Sequence, residues 1–402
     1  MDNNLVTARL LEEAGPGIAC LTRPGQAVCL LRTPEGAVIA SVPWTEERQW
    51  EQVFRQLIDS RANLGVLSGP EGGLHLVLVG GPSEESGHAR AMEPTLNDPM
   101  VHTWQIDDAG QLHVGGPGKR GSVAGRALAR VEAEPDAPVD AGEVERALSQ
   151  ARRRAASEQG EVAGWFAALQ ARPVPMTKLI IGVCVAGFVL ETALGATDSI
   201  GRLIALGATD PRGHDPLRWF SYASLHGGVI HLLMNMSVLW NLGPLLERLV
   251  GGRRFLALYT FSALGGGIAI QEVAGSVGVG ASGAIWGLMV AAGWIALRRA
   301  DLMPRPVSAS LRQGTLKSLG INLLISLLPG ISLAGHLGGA LGGLIFTWAL
   351  LTRGLERGAD DAEPPALDDG PEWTALAVAA AVALFGSFAI RILLGGAWGL
   401  SA

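Results

Sequence analysis

The 402-residue chain has three cysteines, Cys20, Cys29 and Cys184, and none stands at metal-ligand spacing. Cys184 lies inside an apolar run and the other two in a polar half, so free thiols are expected rather than a disulfide framework. With a formal net charge of −6 there is no basic excess to neutralise phosphates, and no nucleic acid partner is expected. Met1-Asp2-Asn3-Asn4 lacks the basic and apolar regions of a signal peptide, and there is no organelle transit peptide. A bacterial inner (plasma) membrane is therefore the expected site for the apolar half. No His-Glu-x-x-His or Gly-x-Gly-Asp occurs, which sets aside zinc and aspartyl chemistry inside a membrane. No metal or cofactor is expected. There is also no internal repeat, which argues against a transporter or channel lined by Glu191, Asn235 and Arg218.

What is abundant is apolar sequence, 48% of the chain, and it is unevenly spread. Residues 1–172 carry most of the charge. Short β-prone runs at 17–31 and 37–42 flank Pro34-Glu35-Gly36, a turn signal. Thr45 to Ile58 reads as an amphipathic helix with Thr45 as N-cap, Leu74 to Val79 as a strand, and Thr103 to Val114 as a hairpin around Asp108-Ala109-Gly110. Residues 1–135 are thus expected to form a soluble α/β or α+β domain. His75, His88, His102 and His113 are scattered through it and read as solvated or satisfied side chains. Residues 132–141 read as a linker and Val139 to Ala171 as a helix, whose Arg152-Arg153-Arg154 and Trp165-Phe166 fit either an anionic membrane surface or an ordinary solvated helix. Residues 136–177 are expected to act as a helical linker.

Seven apolar stretches follow, at about 178–197, 225–246, 254–272, 280–298, 316–333, 334–352 and 373–397. Each approaches the roughly 20 residues a helix needs to cross the hydrocarbon. The fifth and sixth meet at Pro329-Gly330 as a tight pair. Arg248, Arg253 and Arg254, the group from Arg298 to Lys317, and Arg353 and Arg357 fall on one side together with Lys178 and Arg152–Arg154. That side is expected to be the cytoplasm, against a minority of Arg202, Arg212 and Arg218 outside. The fold expected is an all-α polytopic membrane protein. Its core is 178–352, followed by a polar cytoplasmic loop at 353–372 and a further span at 373–402. The N-terminal domain is then cytoplasmic and the C-terminus external.

Ionisable and amide side chains inside spans are costly. His231 and Asn235, at i and i+4 on the second span, share one helix face. Ser282 begins the fourth span and His336 the sixth. Spans two, four and six run in the same direction, so all four residues lie at similar depth near the outer surface. Gly335, Gly339 and Gly343 repeat every four residues, as do Gly283 and Gly287; small faces of this kind let helices approach. If these faces meet, Ser282 comes within reach of His336. A lone hydroxyl in a membrane helix ordinarily bonds back to its own helix, and a lone histidine to a carbonyl. Brought together, they are instead suited to acyl transfer, with imidazole taking the hydroxyl proton. The Asn235 amide, the His231 ring and the Ser282 backbone N–H are the available donors for an oxyanion. Gly-Ala-Ser-Gly is not the Gly-x-Ser-x-Gly elbow of soluble hydrolases.

These motifs resemble those of the rhomboid family of intramembrane serine proteases. His231-Leu-Leu-Met-Asn235 resembles its His-x-x-x-Asn, Gly280-Ala-Ser282-Gly283 its Gly-x-Ser-Gly, and His336 with Gly339 its general-base motif. Arg218 resembles the arginine of a Trp-Arg pair in the first external loop, although Leu217 stands where the tryptophan belongs and Trp219 follows two residues later. The resemblance covers 178–352 and implies a six-helix core with the C-terminal span as a seventh helix. It also implies a Ser282–His336 dyad with no orienting Asp, an oxyanion site from His231, Asn235 and the Ser282 N–H, and transmembrane protein substrates in the bilayer. The substrate helix would enter near the fifth span and the loop at Pro329–Ser332. Trp286, one turn after Ser282, is expected to pack on His336, and His226 to be structural or a lesser contributor. The alternative is a catalytically inactive rhomboid-like binding module, disfavoured because both Ser282 and His336 are retained. No family resemblance is drawn for the soluble domain, for which a regulatory role or a cytosolic partner or ligand is expected.

Overall fold

A computed structural model describes residues 3–14, 19–21, 28–33, 37–44, 49–59, 73–80, 101–115, 122–135, 139–358, 363–367 and 370–398. The expected turn at Pro34–Gly36, the Thr45 cap and His88 lie outside the described residues. The chain divides into two compact units, Met1–Gly160 and Glu161–Ala402. The boundary falls inside one long helix, Ala141–Gln170.

The first unit is built on a six-stranded mixed sheet in sequential order: β1 (Ala19–Cys20), β2 (Cys29–Arg32), β3 (Ala37–Pro43), β4 (Gly73–Val79), β5 (Val101–Ile106) and β6 (Leu112–Gly115). The β3–β4 and β4–β5 pairs are parallel and the others antiparallel. Central strands such as β3 and β4 are apolar on both faces because both faces are covered, as parallel sheets require. Ile39 and Val77 face one side, packed with Leu5, Val6 and Leu10 of α1 (Asn3–Ala14) and Leu128 of α3 (Val123–Ala133). Val38, Ala40, Leu74 and Leu76 face the other, under Trp50 and Phe54 of α2 (Gln49–Asp59). The α/β or α+β reading holds as a mixed sheet with helices, α1 and α3 among them. Two of the scattered histidines are brought together: parallel pairing sets His75 opposite His102, with ring centroids 4.8 Å apart, and both are buried. Trp104 Nε1 donates to His75 Nδ1 at 3.3 Å, and His113 Nε2 pairs with Asp107 at 3.0 Å. None of the three cysteines is in a disulfide, and all three are buried.

The second unit is helical. After α4 (Ala141–Gln170) come α5 (Pro175–Ala193), α6 (Ile200–Leu206), α7 (Arg218–Ser221), α8 (Val229–Val250), α9 (Gly252–Ile268, continued by a π-helical turn to Val273) and α10 (Ser282–Arg298). Then follow α11 (Arg305–Ser326), α12 (Leu333–Phe346, with a π-helical turn to Leu351), a short β7–β8 hairpin (Leu355–Glu356 with Ala366–Leu367), α13 (Pro371–Ala381) and α14 (Ser387–Trp398). Among the described residues five helical segments are long and apolar enough to cross a membrane: Pro175–Ala193, Val229–Val250, Gly252–Val273, Leu333–Leu351 and Pro371–Leu393. The fourth expected stretch, α10, is apolar but has 17 residues. The fifth is displaced. The helix runs Arg305–Ser326 rather than 316–333, because Pro304 and Pro306 initiate it early and Leu327–Ile331 turns through Gly330 at φ +84°.

Small residues set the centre of this unit. α9 is 61% buried across its membrane window, against 22–33% for the other four. A methyl placed on Gly265 would meet Gly338 O of α12 at 2.4 Å, and one on Gly287 would meet Ser262 Oγ of α9 at 2.0 Å. The expected glycine faces of α10 and α12 also meet, at Gly283–Gly339 and Gly287–Gly343. Helices at this separation hold their backbones, and the first residue of each, in fixed register. The outward faces carry exposed Leu233, Trp240, Leu324, Leu341 and Trp348, as a lipid-facing surface does.

Candidate active site

The segment entering α10 is pinned before the helix begins. Gly278 N donates to Thr209 Oγ1 at 2.7 Å, Thr209 N to Gly278 O at 3.1 Å, and Gly280 N to Tyr222 O at 3.0 Å. Gly280 adopts φ +127°, a conformation that disfavours side chains, and a methyl there would lie 2.7 Å from His231 Nε2 and 3.7 Å from Asn235 Nδ2. The chain can pass this close to the α8 side chains only as glycine. It then delivers Ser282 as the first residue of α10, where backbone N–H groups have no intrahelical acceptor.

His336 sits in the first turn of α12, whose start is capped by Ser332 Oγ accepting from Gly335 N at 3.1 Å. Its Nε2 lies 2.8 Å from Ser282 Oγ. Trp286 stacks on the imidazole at 5.3 Å between centroids and 21° between planes, the contact expected of it. On the other ring nitrogen, Nδ1 lies 2.6 Å from Ser326 Oγ of α11. Ser326 was not singled out from the sequence. A serine near the end of a membrane helix carries no signal beyond bonding back to its own helix, and only the packing of α11 on α12 turns its oxygen to the ring.

His231 and Asn235 share one face of α8 and reach the same place. A cavity of about 500 Å³ is lined by these two, Ser282, Trp286 and His336, and by Ile325 of α11. It lies between α8 and α11. Asn235 is buried, and its Nδ2 makes no hydrogen bond among the described residues. His226 rests edge-on against His231 at 5.2 Å, and its backbone N–H donates to the buried Glu191 carboxylate at 2.8 Å. Glu191 therefore fixes the entry to α8 rather than lining a polar path. Gly283 and Gly339 take part as the helix contact described above. Arg218 lies away from the dyad. Its guanidinium donates to Ile204 O and to Ala208 O, the latter at 2.7 Å, and so closes the end of α6. Asp215 bridges Arg218 and Arg391 of α14. Trp219 Nε1 donates to Glu272 Oε1 at 3.3 Å, tying the first loop to the end of α9.

The arrangement is a hydroxyl against an imidazole, with His231 and the unengaged Asn235 amide lining the same cavity. Residues 213–353 match the family model described as the Rhomboid domain. Rhomboid protease GluP of Bacillus subtilis is 30% identical over 177 residues, 43% of this chain and 34% of that protein. Rhomboid protease GlpG of Klebsiella pneumoniae is 30% identical over 135 residues, 33% of this chain and 47% of that protein. RHOMBOID-like protein 2 of Arabidopsis thaliana is 36% identical over 144 residues, 35% of this chain and 44% of that protein. The chain thus spans between a third and a half of the length of these curated relatives. The matched segment holds Ser282, His336, His231 and Asn235, so these four residues lie in a stretch similar to the Rhomboid domain.

Proposed function

We propose that the protein is an intramembrane serine endopeptidase that cleaves transmembrane segments of other membrane proteins. The observation that carries this reading is the 2.8 Å contact between Ser282 Oγ and His336 Nε2, and the relatives named as rhomboid proteases support it. In the first step Ser282 Oγ attacks the scissile carbonyl carbon while its proton passes to His336 Nε2. The carbonyl π electrons move to oxygen, and that oxyanion is met by Asn235 Nδ2, the His231 ring N–H and the Ser282 backbone N–H. The tetrahedral adduct collapses, His336 returns the proton to the departing amine, and an acyl-enzyme on Ser282 remains. Water, deprotonated by His336, attacks the ester and regenerates the serine.

The cavity between α8 and α11 supports lateral entry of a substrate helix from the bilayer. The distribution of arginine and lysine supports a multi-pass plasma-membrane protein with residues 1–135 and the loop at 353–372 in the cytoplasm and the site near the outer face. The domain arrangement proposed is a soluble domain, a helical connection at 136–177, the protease core at 178–352 and an added helix after 373, with a cytosolic partner or ligand for the soluble domain. No metal or cofactor takes part in the proposed chemistry. The test is labelling of the detergent-purified protein with a fluorophosphonate, comparing wild type with Ser282→Ala and His336→Ala. Labelling lost in both variants is the expected result. Equal labelling in either variant overturns the dyad. A folded wild type that neither labels nor cleaves reconstituted membrane-protein substrates is the inactive binding module instead.

A further inference from the structure

Ser326 closes α11 and is buried. A serine in this setting has one proton to give and two lone pairs to offer. Ser326 Oγ gives its proton to the carbonyl oxygen of Asn322, one turn back. Its remaining partner is His336 Nδ1, 2.6 Å away. With the serine proton committed to Asn322, the hydrogen in the Ser326–His336 bond belongs to Nδ1. A neutral imidazole has a single ring proton, so Nε2 is then bare. Nε2 is the nitrogen that faces Ser282 Oγ at 2.8 Å.

We propose that Ser326 is a positioning residue: its oxygen holds His336 in the Nδ1–H tautomer and points Nε2 at Ser282 as a proton acceptor. The inference rests on the hydrolase reading above and assigns the third member that the dyad lacks. The ring is now held on three sides, by Ser282 at Nε2, by Ser326 at Nδ1 and by Trp286 on its face. After His336 takes the serine proton, Nδ1–H still has its acceptor, so the imidazolium forms without a change of partners. A carboxylate does the same for the histidine of soluble triads. A hydroxyl does it with no formal charge, which suits a site flanked by hydrocarbon.

Two measurements on the full-length protein in detergent test this. The first is the ¹⁵N spectrum of histidine-labelled protein, with the His336 signals identified by their loss in His336→Ala. Wild type is expected to show the Nδ1–H tautomer, and Ser326→Ala a mixture of both tautomers; an Nε2–H ring in wild type overturns the proposal. The second is the saturation kinetics of fluorophosphonate labelling. Ser326→Ala is expected to lower the limiting rate about tenfold, the worth of one orienting hydrogen bond, with the half-saturating concentration unchanged. Ser326→Thr, which keeps the hydroxyl, is expected to recover most of that loss. A wild-type rate in Ser326→Ala overturns the proposal, and so does an equal loss in both variants, which marks a packing role. Absence of labelling in wild type strikes the hydrolase reading alone, because the tautomer spectrum still decides the role of Ser326.

Discussion

Gly339 lies so close to Gly283 that a methyl on its Cα would come within 2.0 Å of the Gly283 carbonyl oxygen. This contact joins the helix that begins with Ser282 to the helix that carries His336. Backbone cannot retreat as a flexible side chain does, so Gly339→Ala is expected to push α12 off α10. The destabilisation should be about 3 kcal/mol, the upper range for overpacking. Fluorophosphonate labelling should fall with the melting temperature. Gly182→Ala, where a methyl meets nothing within 4 Å, is the control and should leave both unchanged. Full labelling in Gly339→Ala would refute the view that this packing sets the dyad.

Asn235 Nδ2 is a buried donor with no hydrogen-bond partner among the described residues, so removing it forfeits none there. Asn235→Ala is therefore expected to leave the melting temperature nearly unchanged. It should slow acylation by roughly a hundredfold, the scale of one oxyanion donor. The loss should appear in the limiting rate. A change confined to half-saturation would assign Asn235 to binding instead.

Gly280 combines a positive φ with a close approach to His231. Gly280→Ala meets both obstacles at once. Backbone strain of about 1–3 kcal/mol is expected, together with displacement of the His231 ring. Activity should fall below that of His231→Ala, because the shift also moves Ser282, two residues on. Activity equal to wild type would show that the segment adjusts freely.

Glu247 of α8 caps a different helix. Its carboxylate accepts the N–H groups of Met176 and Thr177 and the Thr177 hydroxyl, at 2.8, 2.8 and 2.6 Å, at the start of α5. Glu247→Ala leaves three donors unsatisfied and should cost on the order of 3 kcal/mol. Glu247→Gln keeps an acceptor but loses the charge at the helix N-terminus, and about 1 kcal/mol is expected. Thermal unfolding in detergent measures both. Labelling of Ser282 well below the melting transition should be unaffected, since α5 does not line the cavity.

The spans and the four polar residues within them were legible because each depends on local composition. Apolar length marks a helix, charge marks its ends, and the i, i+4 spacing of His231 and Asn235 sets one face. The glycine repeats were legible too, since Gly283 with Gly287 and Gly339 with Gly343 need only helical periodicity to define a stripe. The limits of α11 were less so. Its first thirteen residues carry Arg305, Arg312 and Lys317, and the apolar stretch runs on into Leu327 and Leu328, which belong to the turn.

Sequence alone determined that the membrane half is helical, where its polar residues lie along each span, and that the first unit mixes strands and helices. These follow from periodicity, turn residues and the cost of polar groups in hydrocarbon, which act within a few residues of each other. Tertiary structure alone decided that β3, β4 and β5 run parallel and bring His75 to His102. It also decided that Glu247 caps α5 from 70 residues away and that Ser326 turns its oxygen to His336. Each of these is a meeting between groups on different strands or helices. No local energy selects it, and it exists only once strands have paired and glycine faces have closed.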